Sequence, residues 1–364
     1  MSGDVAFEPK WASAPGETIV EALRSRGGNV EDLADRLGVS DAQARGLVTG
    51  DVTIDEKLAG RLAEVVGGST AFWLAREQQF RESTRWLDAD MLTERLPFDQ
   101  MVSFGWIDGR QSWRDRASVA LEYFDVSNTT EWNATWRQRV SDALYRASHS
   151  QPVNETAVAA WLRQVELQAA NIATSPWSPS QLRGRLPQLR HLSRLSSVES
   201  SLEQVRTIVA SCGVALVVVR APKECPISGA SYVDSSGVRV VALSARYRSD
   251  DHLWFTLFHE FGHVLLHDAT IAFLDELEIE SQAESSLELE ADTFAQEQLV
   301  PGGLDSLASS RATPSARDVL SFAAHADVAA GVVVGQLQHI RRIGFDKLNR
   351  LKRRYTWDGP SLKS

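Results

Sequence analysis

With 364 residues the chain exceeds one ordinary core, and at about 100 to 200 residues per domain it has room for two or three domains. Its composition, 43% hydrophobic and 24% charged with 11 Trp, excludes a disordered chain, and no run reaches the roughly 18 apolar residues that a membrane span requires. A net charge of −10 excludes coating of nucleic acid by bulk electrostatics, so any DNA contact must be local.

The opening residues Met1 to Val5 carry neither a basic n-region nor an apolar h-region, which predicts a cytoplasmic protein with no membrane partner. Residues 1–14 read as a flexible N-terminus and residues 15–82 as a domain of five short helices, with turn signals at Gly27-Gly28, Gly38, Gly50 and Gly67-Gly68. Inside it, Val30 to Leu47 has the layout of a helix-turn-helix. Ala34 is small where the second helix approaches, Gly38 permits the tight turn, and Ser40 can cap the next helix. Ser40, Gln43 and Arg45 are the candidate DNA contacts, of which Gln43 and Arg45 suit base edges. Yet the domain holds more Asp and Glu than Lys and Arg, which weakens phosphate binding, and Gly46 costs the helix about 1 kcal/mol relative to Ala. Homodimer formation or substrate docking is the rival use.

Residues 83–200 read as a helical linker region, with Val158, Trp161, Leu162, Val165 and Ala169 at helical spacing and Pro176, Pro179 and Pro187 marking its end. Its tryptophans, Trp106, Trp113, Trp132, Trp136 and Trp161, read as core. The period then changes: Val214–Val219 and Gly237–Ser244 are predicted strands of a small sheet. The only cysteines, Cys212 and Cys225, read as free thiols. Helices resume after Pro301. In residues 304–364, Ile340, Ile343, Leu348, Leu351 and Tyr355 recur at helical spacing among Arg341, Arg342, Lys347, Arg350, Lys352, Arg353 and Arg354, which predicts an amphipathic closing helix with a solvated basic face.

The strongest chemical signal lies in residues 201–303. His259-Glu260-Phe261-Gly262-His263 sits in an otherwise apolar run from Leu253 to Leu266, which predicts one buried helix. Residues four apart share a helix face with Cβ atoms about 6 Å apart, so two imidazoles can converge on one zinc ion. Glu260, beside the first histidine, is placed as general base for a hydrolytic water whose acidity zinc raises. Two imidazoles and a carboxylate in an apolar helix are costly to bury without such a partner.

A catalytic zinc needs a third protein ligand. His267 lies about 12 Å along the axis from His259, too far for one ion, and the spacing of a third histidine beyond a Gly turn lands on Ala269. His267 therefore reads as a helix-end residue. Glu288 is the better candidate, bordering the apolar stripe Leu287, Ala291, Phe294 and Ala295 of a second helix, with Glu284 and Glu290 as rivals. Asp292, one turn later, can accept the free ring N–H of a ligating histidine. Tyr232, Arg246 and His252 are candidates for stabilising the oxyanion.

The HExxH helix, the run Glu288 to Ala295, Leu299-Val300-Pro301, the upstream Ile227-Ser228-Gly229-Ala230 and Gly331 to Gln338 together resemble the ImmA/IrrE metallopeptidases, over roughly Val205 to the C-terminus. The resemblance implies a zincin-like, gluzincin-type site with His259, His263 and Glu288 on Zn2+ and Glu260 as catalytic base. It further implies an endopeptidase, active or latent, acting on an intracellular regulatory protein such as a helix-turn-helix repressor. Residues Pro15 to Glu82 are similar to the XRE/HigA-like helix-turn-helix of antitoxins. The expected whole is an α+β, mostly helical zinc peptidase with an N-terminal module for DNA binding or substrate docking. The alternative is a DNA-binding regulator or antitoxin-like protein that uses the zincin domain as a sensor or scaffold.

Overall fold

The computed structural model describes residues 9–30, 32–109, 112–140, 147–148, 153–267, 273–274, 278–279, 282–308 and 313–364. The chain is mostly helical with small sheets, as expected of an α+β protein, and divides into two units, residues 1–95 with 109–132 and residues 96–108 with 133–364.

The first unit opens with α1 (Pro15–Ser25), α2 (Leu33–Leu37), α3 (Asp41–Thr49), α4 (Glu56–Val66) and α5 (Thr70–Arg95). Gly38 stops α2 in the left-handed region at φ 59°. Ser40 starts α3 through a reciprocal cap: its Oγ accepts the Gln43 N–H at 3.2 Å and its own N–H donates to Gln43 Oε1 at 3.1 Å. Ile19, Leu23, Leu33, Leu37, Leu47, Leu62 and Trp73 bury their side chains together. Gly46 has a packing reason, since a Cβ there would stand 2.6 Å from Val52 Cγ2. Helix α5 runs through residue 82, where the sequence pattern suggested a boundary. No Gly or Pro interrupts it, and a Glu77–Arg81 ion pair at 2.6 Å braces its middle.

Helix α6 (Phe98–Ser103) belongs to the second unit, whereas α7 (Trp113–Phe124) and α8 (Thr129–Trp132) belong to the first. The second unit continues with β1 (Ala147–Ser148), α9 (Glu155–Ala169), α10 (Pro179–Leu192) and α11 (Val198–Ala210). Then come β2 (Val214–Val218), β3 (Gly229–Val233), β4 (Arg239–Leu243) and α12 (Asp250–Leu266). After β5 (Phe273–Leu274) and β6 (Glu278–Ile279) follow α13 (Gln282–Leu299), α14 (Asp305–Ala308), α15 (Ala316–Ala326) and α16 (Ala330–His339). The main sheet has strand order β2-β4-β3-β5, with β2 parallel to β4 and the other pairs antiparallel. Val241 and Leu243, two residues apart on one face of β4, join the core of α12, and Trp161 of α9 donates Nε1–H to the Val219 carbonyl just beyond β2 at 2.9 Å.

The strands at 214–218 and 239–243 match the β-branched runs, and both cysteines are free and buried, with burial pushing the Cys225 thiol up to about 12. Two readings need correction. Pro179 and Pro187 do not end the helical region. Pro179 occupies the first turn of α10, where no amide hydrogen is needed, and Pro187 lies inside it, so that Leu182, Leu186, Leu189 and Leu192 enter the same core as Leu257 and Phe261. The predicted closing helix over the basic cluster does not form either. Arg341 and Leu348 turn left-handed at φ 55° and 60°, and the chain ends in a hairpin of β7 (Thr356–Asp358) and β8 (Ser361–Lys363). No single helix among the described residues is long and apolar enough to cross a membrane.

What replaces that helix is an anchor. Asp250 and Asp251 are buried at the start of α12, and the C-terminal basic residues reach them: Arg353 Nε donates to Asp250 Oδ2 at 3.1 Å, and Lys352 pairs with Asp251. Lys352 also donates to Gln338 Oε1 at 2.7 Å, and Arg353 donates to the Ser193 and Leu195 carbonyls. Burial raises the Asp250 carboxyl above its ordinary range although Arg353 opposes it; at Asp251 burial acts upward, but hydrogen bonds from Lys352 and Ser249 together with the charges of His252 and Lys352 outweigh it and the pKa falls. Helix α16 lies against this pair through Gly331 and Gly335, where a Cβ would collide with Asp250 and Asp251 respectively. Arg353→Ala strands a buried carboxylate and is expected to cost about 3 kcal/mol in denaturant unfolding; a loss below about 1 kcal/mol contradicts the anchor.

Candidate metal centre

Helix α12 is held along its length by Leu253, Trp254, Leu257, Phe258 and Phe261, and its 17 residues have no breaker except Gly262. That glycine faces α13. A Cβ on Gly262 would stand 3.0 Å from Ala291 Cα, tighter than ordinary contact, so the two helices meet where both side chains are minimal. Glu288, one turn before Ala291, is thereby carried up to His259 and His263, which are 2% and 1% exposed.

Three donor groups converge. His259 Nε2 and His263 Nε2 are 2.9 Å apart, Glu288 Oε2 lies 3.1 Å from the former, and Glu288 Oε1 lies 3.3 Å from the latter. Outer contacts decide which ring nitrogens carry protons. Asp292 Oδ1 is 2.9 Å from His259 Nδ1, and a carboxylate only accepts, so Nδ1 bears the hydrogen and Nε2 presents its lone pair. His267, the C-cap of α12, stands with Nδ1 3.0 Å from His263 Nδ1 and Nε2 3.4 Å from Glu290 Oε2. Donation from Nε2 to Glu290 leaves His267 Nδ1 as acceptor, so His263 also turns a lone pair inward.

Two imidazole lone pairs and a carboxylate facing one another repel unless a cation lies among them. Burial lowers the His263 pKa below the ordinary 6.5, although Glu288 opposes the shift, so this ring does not supply a proton near neutrality. Burial raises the Glu288 pKa, but in the metal-free site a proton held on the imidazoles lets His259 and His263 hydrogen-bond to the carboxylate, which outweighs burial and brings it to about 2. A metal ion would take the place of that proton, since imidazole nitrogens and an ionised carboxylate are the donors of a three-ligand zinc site. Tetrahedral bonds of about 2.0 to 2.1 Å separate ligand atoms by about 3.3 Å, so these residues fit zinc after opening by a few tenths of an ångström. Among the described residues, His259, His263 and Glu288 form a group of metal-type donors.

Glu260 is fully buried and points to β3. A Cβ at Gly229 would overlap its carboxylate and touch Thr256 Cγ2, so the first residue of β3 must be glycine for Glu260 to sit there. Periodicity and spacing do not announce this need, although Gly229 stands in the Ile227-Ser228-Gly229-Ala230 block that carries the family resemblance. Glu290 stands outside the trio as the partner of His267, and the Glu284 side chain lies outside the described residues.

The other candidates do not gather here. Tyr232 points to the sheet face opposite Gly229, by the two-residue alternation of β3, and lines a cavity with Arg163 and Glu166. Arg246 donates to the Pro226 carbonyl at 2.7 Å, and His252 stacks on Tyr247 with ring centroids 4.2 Å apart, about two turns before His259. In the first unit Ser40, Gln43 and Arg45 are all exposed on α3 or its cap, with Ser40 and Gln43 bonded to each other.

Comparison with known families finds a match in this region: the model of peptidase family M78, described as the IrrE N-terminal-like domain, aligns with residues 215–333. The matched segment runs from β2 into α16 and contains the donor trio and Glu260. No curated protein matches the chain. The match supports a metallopeptidase-type enzyme.

In chelator-treated protein, His263 resists protonation when folded but not when unfolded, so its contribution to stability is complete above pH 6.5 and is lost as the pH falls below that value. His263→Gln is expected to flatten that slope in denaturant titrations at stepped pH; an unchanged slope contradicts the burial of a neutral ring.

Proposed function

We propose that the chain is a zinc-dependent endopeptidase in which His259, His263 and Glu288 hold the metal and Glu260 is the general base. The observation that carries this reading is the convergence of the His259 and His263 Nε2 atoms and both Glu288 carboxylate oxygens on one point. When bound, the metal supplies Lewis acidity to the scissile carbonyl and to the hydrolytic water. Glu260 takes a proton from that water and passes it to the leaving amine. Its burial against Gly229 and Thr256 keeps the carboxylate aimed and excludes competing solvent. Asp292 and His267 act as positioning residues, each fixing the tautomer of one ligand histidine.

The substrate class is an intracellular regulatory protein, a helix-turn-helix repressor being the kind suggested by the ImmA/IrrE resemblance. The five N-terminal helices are a helix-turn-helix module that recruits this substrate. Docking is favoured over reading of DNA bases because Gln43 is engaged in the α3 cap and the module is acidic overall. A DNA-binding regulator that uses the peptidase fold as a scaffold has no use for a base beside two ligands.

The test compares wild type with Glu260→Gln on candidate regulators, with and without chelator. Both proteins are expected to carry zinc, with cleavage about 10³-fold slower in the variant and abolished by chelator in the wild type. Equal rates in the two proteins contradict the assignment of Glu260. Arg45→Glu is expected to raise KM several-fold at unchanged kcat if α3 docks substrate; a change confined to DNA affinity contradicts that use.

A further inference from the structure

A second site lies beyond the start of β3. Between α6, the segment 220–226, the end of β4 and the C-terminal hairpin is an open cavity of about 680 Å³. Arg220, Lys223, Arg246 and Arg248 line it against a single acid, Glu224, in a chain whose net charge is −10. Such clustering runs against the overall composition. No carboxylate among the described residues pairs with Arg220, Lys223 or Arg248, and Lys223 and Arg248 are exposed. Arg220 lies over the Phe104 ring with its Cζ 4.5 Å from the centroid, and Arg246 is oriented by its bond to the Pro226 carbonyl. The cavity also has a polar floor: Ser244 is 1% exposed, lines it, and its Oγ has no hydrogen-bond partner. Burying a hydroxyl without a partner is costly, and an acceptor brought by a ligand would recover that loss.

Position gives the ligand class. Pro226 is three residues before Gly229, the residue that packs on the Glu260 carboxylate, and the Ser244 N–H donates to the Ser228 carbonyl at 2.9 Å. Three residues span about 10 Å of extended chain, so a polypeptide whose scissile bond lies beside Glu260 places a neighbouring segment a few residues long over the basic cavity. We infer that this cavity is a docking subsite for an acidic segment of the polypeptide substrate, whose carboxylates meet Arg220, Lys223, Arg246 and Arg248 and accept the Ser244 hydroxyl. The inference rests on the peptidase reading for its orientation, but the site itself consists of residues separate from the metal centre.

The full chain carrying Glu260→Gln, which prevents turnover, is titrated with a fluorescein-labelled peptide of about ten alternating Glu and Ala residues. The acidic peptide is expected to bind with an affinity that falls as salt rises, and its Gln counterpart to bind at least about tenfold more weakly. Lys223→Glu combined with Arg248→Glu changes only exposed positions and is expected to weaken the acidic peptide at least about tenfold. Ser244→Ala is expected to weaken it several-fold at unchanged thermal stability. Equal binding of the Gln peptide, or no response to the charge reversals, overturns the subsite. A single-stranded oligonucleotide that binds more tightly than the peptide and depends on the same residues also overturns it, in favour of nucleic acid. Zinc content is measured on the same sample. Peptide binding without zinc upholds the acidic-segment site and removes the peptidase reading, whereas zinc without peptide binding overturns the subsite alone.

Discussion

The close approach of α12 to α13 at Gly262 and Ala291 is the constraint on which the site depends. Only there can Glu288 come within hydrogen-bonding distance of both ring nitrogens, because one larger side chain would hold the helices apart. The approach also commits the fold to a cost. Two imidazoles and two carboxylates are withdrawn from water, and polar groups in that setting need partners. Asp292 and His267 satisfy the outer nitrogens, and in the proposed site a metal ion satisfies the inner ones. Packing, tautomer and metal affinity are then aspects of one arrangement.

Both helices that carry the donors are gripped at their ends by distant parts of the chain. At the start of α12, the C-terminal Lys352 and Arg353 neutralise Asp251 and Asp250, and the Gly331 and Gly335 face of α16 closes over them. At the other end, Arg183 and Arg190 of α10 donate at 2.9 Å to the Leu265 carbonyl of α12 and the Gln298 carbonyl of α13, groups that the last turn of a helix leaves without intrahelical donors. Removing solvated charge is expensive, and these pairs yield little net stability relative to an apolar core. What they provide is a fixed position for side chains that, in the proposed site, must meet to within a few tenths of an ångström.

Much of the site was legible because local spacing determines it. The four-residue step from His259 to His263 fixes a common helix face, and Glu288 and Asp292 repeat that step on the second helix. The strands at Val214–Val218 and Arg239–Leu243 were visible as β-branched runs, whereas Gly229-Ala-Ser-Tyr-Val is too weakly apolar to stand out, although it supplies the wall for Glu260. The end of the chain misled for a physical reason. Ile340, Ile343, Leu348 and Leu351 keep helical spacing, but the buried carboxylates of Asp250 and Asp251 recruit Arg353 and Lys352 and draw the backbone out of the helix. Pairings between residues about a hundred positions apart leave no periodic trace. The two adjacent aspartates opening an apolar helix, and the small residues Gly331 and Gly335 four apart, were the available hints.

Zinc K-edge absorption spectroscopy on the purified full chain, compared with its Glu288→Ala variant, tests most directly whether the three inward donors form a metal site. The predicted result is about one zinc per chain, coordinated by two imidazoles and additional oxygen at about 2.0 to 2.1 Å, with the carboxylate contribution and most of the affinity lost in the variant. A chain that binds no zinc, or one whose zinc has sulfur ligands or an environment unchanged by Glu288→Ala, would contradict the site.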